Sequence, residues 1–278
     1  MTRAEDYIKA GDLGQALKAL EDQVRKEPAN SKLRVFLFQL LCVTGNWDRA
    51  ITQMNVAKDM DAGAILMAQV CGPAIQCEML RAEIFAGKRT PLVLGEPADW
   101  VGLMIQANEL SGSGKFAESQ KLREQALESA PGAPGTLEHN GQRHAFEWLA
   151  DADTRLGPIL EAVIEGRYFW VPMPHIRSIA IDAPEDLRDL VWTPATFTWT
   201  NGGTAVGLIP TRYAGSEKVE DAAIRMARKT EWTEQGEGFY TGVGQRLFAT
   251  DGGEYPLLEV RSISFSEAGS EAQTGAGG

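Results

Sequence analysis

Along the first 130 residues the apolar positions gather into stretches that end on glycine or proline, the punctuation of short packed helices. The run SKLRVFLFQLLCVTG (31–45) is apolar on more than one face, which predicts a helix buried inside a stack. AILMAQVCGPAIQCEMLRAEIFAG (64–87) has the same character, but Gly72-Pro73 should break or kink it. ADWVGLMIQANELSGSG (98–114) reads as a further helix, and KRTPLVLGEP (88–97) as an irregular link before it. The pattern changes at PGAPG (131–135). Beyond it the sequence predicts one more helix at 139–150, a short one near 158–165, and helical character again at 217–229. The intervening stretches read as strands. YFWVPMPHIRSIAID (168–182) is aromatic and β-branched. FTWTNGGTAVGLIPTRY (197–213) is a strand, an Asn-Gly turn and a strand, and 239–250 and 257–265 alternate apolar with polar.

The helical part repeats. GDLGQAL (11–17) returns as GNWDRAI (45–51), an offset of 34 residues that carries Gly11 onto Gly45 and Ala16 onto Ala50. That is the period of the tetratricopeptide unit. A third copy, GKFAESQ (114–120), follows 69 residues later with Ser119 in the alanine position. The glycine ends the first helix of each pair. The small residue lets two helices approach closely, and Leu13, Trp47 and Phe116 should plug between helices. Pro28 and Pro131 close the second helix of the first and third copies, while Ala62 stands in that position in the second, so that helix is expected to run on. The fold class that follows is multi-domain α and β: a tetratricopeptide-like α-α superhelix over 1–135, an α+β domain over 136–265, and a small, polar, disordered tail over 266–278.

Composition narrows the function. Hydrophobic residues make up 44% of 278, enough for a real core, and the net charge is -11. An acidic surface repels phosphate backbones, so no nucleic-acid partner is expected. No apolar run reaches the ~18 residues of a membrane span, and residues 1–10 carry charges where a signal peptide needs an apolar stretch. The expected location is the cytoplasm. Cys42, Cys71 and Cys77 show no paired spacing, which suits free thiols in a reducing compartment. With His139, His144 and His175 the only histidines, a zinc centre is not expected, nor is any cofactor.

Candidate chemistry is sparse. In DADTRLGP (151–158), Asp151 and Asp153 with Arg155 could hold a metal or a phosphate, or could serve only as caps and an Asp–Arg pair before Gly157-Pro158. The first reading would make the C-terminal domain an enzyme or a metal binder. His175, between Pro174 and Ile176, reads as a histidine satisfied by backbone. Arg188, Arg212 and Arg246 each stand beside apolar or aromatic residues, as in LRDLVW, PTRYAG and GQRLF. Two readings stay open for them: an internal arginine–aromatic network, or a docking surface. Phe38 and Met104, on the first helices of their pairs, could line a groove that accepts a helix or be stack core.

Strings in the C-terminal half carry a resemblance. DADTRLGPILEAVIEGRYFWVP (151–172), PEDLRDLVWTPA (184–195), IPTRYAGSE (209–217), RKTEW (228–232) and GVGQRLFATDGGEYPLLEVR (242–261) together resemble the ImpE/TagJ accessory proteins of bacterial type VI secretion, also called SciE-type virulence proteins. The resemblance covers the chain up to about residue 265 and includes the tetratricopeptide-like front half. It implies a cytosolic, non-enzymatic accessory of the contractile sheath. The implied partner is the N-terminal helix of the small sheath subunit TssB, with a looser, indirect effect on sheath disassembly by the ATPase ClpV. It brings no catalytic residue. The partner-binding candidates are therefore Phe38, Trp47, Met104, Tyr168, Trp170, Arg188, Arg212 and Arg246.

Overall fold

The computed structural model describes residues 3–236 and 238–266, so most of the tail expected at 266–278 lies outside the described residues. Seven α-helices fill the first 130 of these: α1 (Arg3–Ala10), α2 (Leu13–Lys26), α3 (Ser31–Val43), α4 (Trp47–Met60), α5 (Ala64–Phe85), α6 (Asp99–Gly112) and α7 (Phe116–Ser129). The pairs α1/α2, α3/α4 and α6/α7 are the three repeat copies. Each turn is built the same way. Gly11, Gly45 and Gly114 have φ of 80°, 72° and 76°, and the residue after each glycine donates its N–H five residues back: Asp12 to Tyr7, Asn46 to Leu41, Lys115 to Leu110, all at 2.9 Å. Ala16, Ala50 and Ser119 are fully buried at the helix crossings. Ser119 is tolerated there because its hydroxyl donates to the Ala107 carbonyl (2.6 Å) and meets the Ser111 hydroxyl (2.7 Å).

Two helix boundaries differ from the sequence reading. α4 does not run on past Ala62. Asp61 ends it, its carboxylate taking the Gly63 N–H at 2.9 Å, which makes the turn that proline makes elsewhere. Gly72-Pro73 does not divide α5, which continues to Phe85. Buried Ala68, Cys71, Ala74 and Ile75 hold the helix down on both sides of the proline, and that packing outweighs the lost hydrogen bond.

The second half is richer in strands than expected. Short strands run as β1 (Leu92–Val93), β2 (Gly135–His139), β3 (Gln142–Phe146), β4 (Leu149–Asp151), β5 (Ile159–Ile164), β6 (Arg167–Pro172) and β7 (Ile176–Ile181). They continue as β8 (Trp192–Trp199), β9 (Thr204–Pro210), β10 (Thr230–Gly236), β11 (Phe239–Gly244), β12 (Leu247–Thr250), β13 (Gly253–Pro256) and β14 (Val260–Phe265). The helices expected at 139–150 and 158–165 are thus strands: β2 and β3 form a hairpin across Asn140-Gly141, and β5 is buried along its whole length. A short run such as ILEAVI, apolar except for Glu161, reads equally as buried helix or buried strand. At 217–229 the helical content is one 3-10 turn, Ser216–Lys218, and the four-residue α8 (Ala222–Arg225). The Asn-Gly turn expected between two strands is present between β8 and β9.

Among the described residues nine strands make one sheet in the order β1-β6-β5-β9-β8-β7-β14-β2-β3, with every neighbouring pair antiparallel except β1/β6. β1 comes from the link at 88–97, so that link is partly a strand, stitching the helical array onto the sheet. Leu94 N–H extends the pairing to the Trp170 carbonyl, and Leu94 O meets the ring of His175 at 2.9 Å. One core lies between this sheet and the smaller sheet β13-β12-β4, around Phe197, Phe248 and Leu257. Two others join helices to sheet: Phe38, Leu41 and Cys71 with Trp192, and Met104, Trp100 and Ile84 with Tyr168 and Trp170.

Candidate functional site

Where helices meet sheet, the sequence buries a set of charges. Glu161 of β5 sits between two arginines. Arg81 of α5 grips it with two prongs, Nε to Oε1 at 2.5 Å and Nη2 to Oε2 at 2.9 Å, and Arg246 binds Oε2 from the other side. The Tyr168 hydroxyl donates to Oε1 and accepts from the Trp170 indole N–H (2.9 Å). Arg246 also pairs with Asp151. Asp153 is bound by Arg155 and by the Gly242 N–H of β11 (3.0 Å). Arg81 reaches the Arg212 carbonyl (2.7 Å), and Arg212 in turn donates to the Val43 carbonyl at the end of α3 (2.8 Å) and to the Arg225 carbonyl. One polar net therefore ties α3, α5, β4, β5, β6 and β11 together.

Its electrostatics follow from burial and pairing. Burial alone would raise Glu161, but Arg81 and Arg246 override it and hold the carboxyl at about 2. Asp151 has only a share of Arg246, so burial prevails and pushes it up to about 7. Arg246, touching both carboxylates, is held above its ordinary range. For Asp153, burial is overcome by Arg155 and the backbone N–H donors, and its carboxyl stays below the usual range. Asp151 and Asp153 do not converge on a common point; each is committed to its own arginine. Among the described residues no group of three or more His, Cys, Asp or Glu is arranged to hold a metal ion.

Six of the eight sequence candidates lie in this interior. Phe38, Met104, Tyr168, Trp170, Arg212 and Arg246 are buried, filling the joint between array and sheet, so as placed they offer no surface to a partner. The physical reason is that helices and sheet bury large apolar and arginine side chains against each other, not against water. Arg246 stacks over Tyr213 at 5.4 Å, which is the arginine–aromatic network of the first reading. Trp47 is half-buried against Trp192, ring centroids 6.1 Å apart, and Arg188 remains about a third exposed.

Arg188 stands on the rim of a groove that the sequence did not single out. The groove, about 750 Å³, runs between α5 and the helix-facing side of the sheet. Leu66, Val70 and Pro73 form one wall, spaced i, i+4, i+7 on α5. The other wall is a rung of the sheet, Val163–Leu208–Pro194 across β5, β9 and β8, extended by Val206 and Trp192. Gly166 closes one end. Its φ is 73°, and a Cβ there would lie 2.9 Å from Pro73 Cβ, so the β5–β6 turn passes directly under α5 only because the residue is glycine. The apolar lining is open to water: Leu66 is 73% exposed, Val70 50% and Val206 75%. Large apolar side chains this exposed on two facing walls make the groove a candidate docking surface. A legible trace existed in the sequence, because AILMAQV (64–70) puts apolar residues on faces of α5 that a surface helix leaves polar.

Comparison with known proteins decides the family. A family model described as "ImpE protein" matches residues 143–264, and a tetratricopeptide repeat model matches 7–70. The "Type VI secretion system accessory component TagJ" of Pseudomonas aeruginosa is 50% identical over 262 residues, covering 94% of this chain and 90% of that protein. The chain belongs to the ImpE/TagJ family. A protein of Vibrio parahaemolyticus solved by X-ray crystallography shares the fold of this ImpE/TagJ chain at 23% identity, with a TM-score of 0.84 over 96% of this chain and 98% of that one. No helix among the described residues of this family member is long and apolar enough to cross a membrane.

Proposed function

We propose that this chain is a non-enzymatic, cytoplasmic accessory protein of type VI secretion that holds the N-terminal helix of the small sheath subunit TssB in the groove between α5 and the sheet. The observation that carries this reading is the exposed apolar lining, Leu66 and Val70 facing Val206, with half-buried Leu208 beside it. A helix laid in such a groove buries its own i, i+3/i+4, i+7 stripe and needs no nucleotide or metal. The accessory role of the Pseudomonas aeruginosa relative supports it. The burial and arginine pairing of Asp151 and Asp153 speak against the alternative of an enzyme or metal binder built on those two residues, since neither has a face open to a substrate. An effect on ClpV-driven disassembly follows indirectly, through a sheath helix that is occupied.

Calorimetric titration of the full-length protein with a peptide spanning the TssB N-terminal helix from the same genome tests the reading. Saturable binding is expected, with Leu66→Asp and Val206→Asp each weakening it at least about tenfold, the loss that an unpaired charge in an apolar contact brings. Both positions are exposed, so both variants should fold normally. Absence of binding by the unaltered protein, or binding indifferent to both substitutions, would overturn it.

A further inference from the structure

We infer that the helix this groove accepts is cationic, with lysine or arginine side chains flanking its apolar stripe and meeting the carboxylates of Glu165 and Asp186 at the groove's rim. The inference rests on the groove being the docking site, and it adds the chemistry of the occupant. The ionic groups at the groove are Glu165, Arg188 and Asp189, which line it, and Asp186, which lies beside Arg188. The groove and its immediate neighbours thus hold three carboxylates and one guanidinium. That guanidinium is already spent: Arg188 lies 3.5 Å from Asp186 Oδ2 and 3.6 Å from Asp189 Oδ1. Asp189 is buried and uses its other oxygen to accept the Glu185 and Asp186 N–H groups, both at 2.9 Å, so it holds the rim in shape and does not face a ligand.

Glu165 and Asp186 are different. Glu165 is exposed in the β5–β6 turn and makes no ion pair among the described residues, and the Asp186 side chain is about half exposed. Glu165 lines the groove, and Asp186 stands beside its lining residue Arg188. The apolar strip, Leu66 to Pro73, is about 10 Å long, two helical turns. An occupant of three or four turns therefore overhangs it and carries polar side chains past the apolar lining to the carboxylates of the rim. An anionic helix would set its charges against Glu165 and Asp186 next to an apolar, weakly screened surface, and would approach a chain of net charge -11. A cationic one is drawn in by the same field.

The test uses the full-length protein and two synthetic amphipathic peptides with an identical leucine stripe, one with lysine at its flanks and one with glutamate. Binding is read by fluorescence anisotropy at low and high salt. The lysine peptide is expected to bind at least about tenfold tighter at low salt, and the margin should shrink as salt rises. Glu165→Gln combined with Asp186→Asn keeps the rim's shape, because asparagine still caps the 3-10 turn, and should remove most of the margin. Equal affinities for the two peptides, a preference for glutamate, or a margin untouched by the double variant overturns the inference. The same series separates it from the sheath reading. A lysine peptide bound as described while the TssB peptide fails sinks only the TssB assignment. A TssB peptide bound in the groove with no dependence on Glu165 or Asp186 sinks only the charge assignment.

Discussion

Arg81 and Glu161 meet in a two-pronged ion pair, at 2.5 and 2.9 Å, in which one residue belongs to the helical array and the other to the sheet and neither reaches water. A pair so placed holds its two elements in register, because the guanidinium satisfies the carboxylate only when α5 lies at one height over β5. Removing one partner leaves the other charged and buried. Arg81→Ala should therefore cost about 3–5 kcal/mol. Urea denaturation of parent and variant measures it, and a loss under about 1 kcal/mol would mean that water replaces the guanidinium.

The same network gives stability an unusual dependence on pH. Glu161, held at about 2, against ~4.3 in an unfolded chain, contributes stability that is fully present above ~4.3 and lost as pH falls towards 2. Asp151 acts the other way. At about 7, against ~3.9 unfolded, it binds its proton more tightly in the folded state, so its contribution is present at low pH and declines as pH rises from about 4 to 7. One such proton sets a slope of up to about 1.4 kcal/mol per pH unit. Glu78, also raised by burial, shares the decline. Urea midpoints taken between pH 3 and 8 should fall on both sides of a maximum near pH 4–5. Asp151→Asn should keep the acid limb and flatten the neutral one. An unchanged neutral limb would remove Asp151 from the account.

These charges also show how far the sequence could be read. The repeat turns were legible because the requirement is local: a left-handed residue after a helix favours glycine at 11, 45 and 114, and close helix approach favours a small residue at 16, 50 and 119. The strands at 142–146 and 159–164 were not: QRHAF is a short, mostly polar run, and ILEAVI is apolar on both sides of a single Glu161, so neither shows the helical or the alternating period. The groove was harder still. Leu66 and Val206 are 140 positions apart in sequence, and nothing local says that β9 comes to lie beside α5. Arg212 and Arg246 stand in aromatic surroundings that suit an interface and a core equally, and only the tertiary fold shows that the interface is internal.

Ser119 tests the packing argument at one helix crossing. Its hydroxyl donates to the Ala107 carbonyl, which the Ser111 hydroxyl also contacts at 3.0 Å, so the bond is redundant. Ser119→Ala restores the residue of the other two copies and should cost about 1 kcal/mol or less. Ser119→Leu forces a branched side chain between α6 and α7 and should cost at least about 1–3 kcal/mol. Thermal denaturation of the two variants side by side distinguishes a site selected for volume from one selected for its hydroxyl; equal losses would favour the hydroxyl.

Gly45 and Gly114 occupy the same place in their repeats and have nearly the same φ, 72° and 76°, but different surroundings. Around Gly114 an added Cβ would meet nothing within 4 Å. At Gly45 it would come within 2.6 and 2.7 Å of Glu217 Cγ and Cβ, on the 3-10 turn that the C-terminal half lays across this repeat. Gly114→Ala should thus lose only the cost of a left-handed alanine, about 1–2 kcal/mol. Gly45→Ala carries that cost and must also displace Glu217, whose stem is too short to swing clear without moving its backbone. The difference between the two losses reads the tightness of the joint between helices and sheet, apart from any strain within the repeat. Adding Glu217→Gly to both variants should bring Gly45→Ala back to the level of Gly114→Ala and leave the latter's own loss unchanged. A gap that survives the added substitution would place the extra strain inside the α3–α4 turn, not at its contact with the C-terminal half.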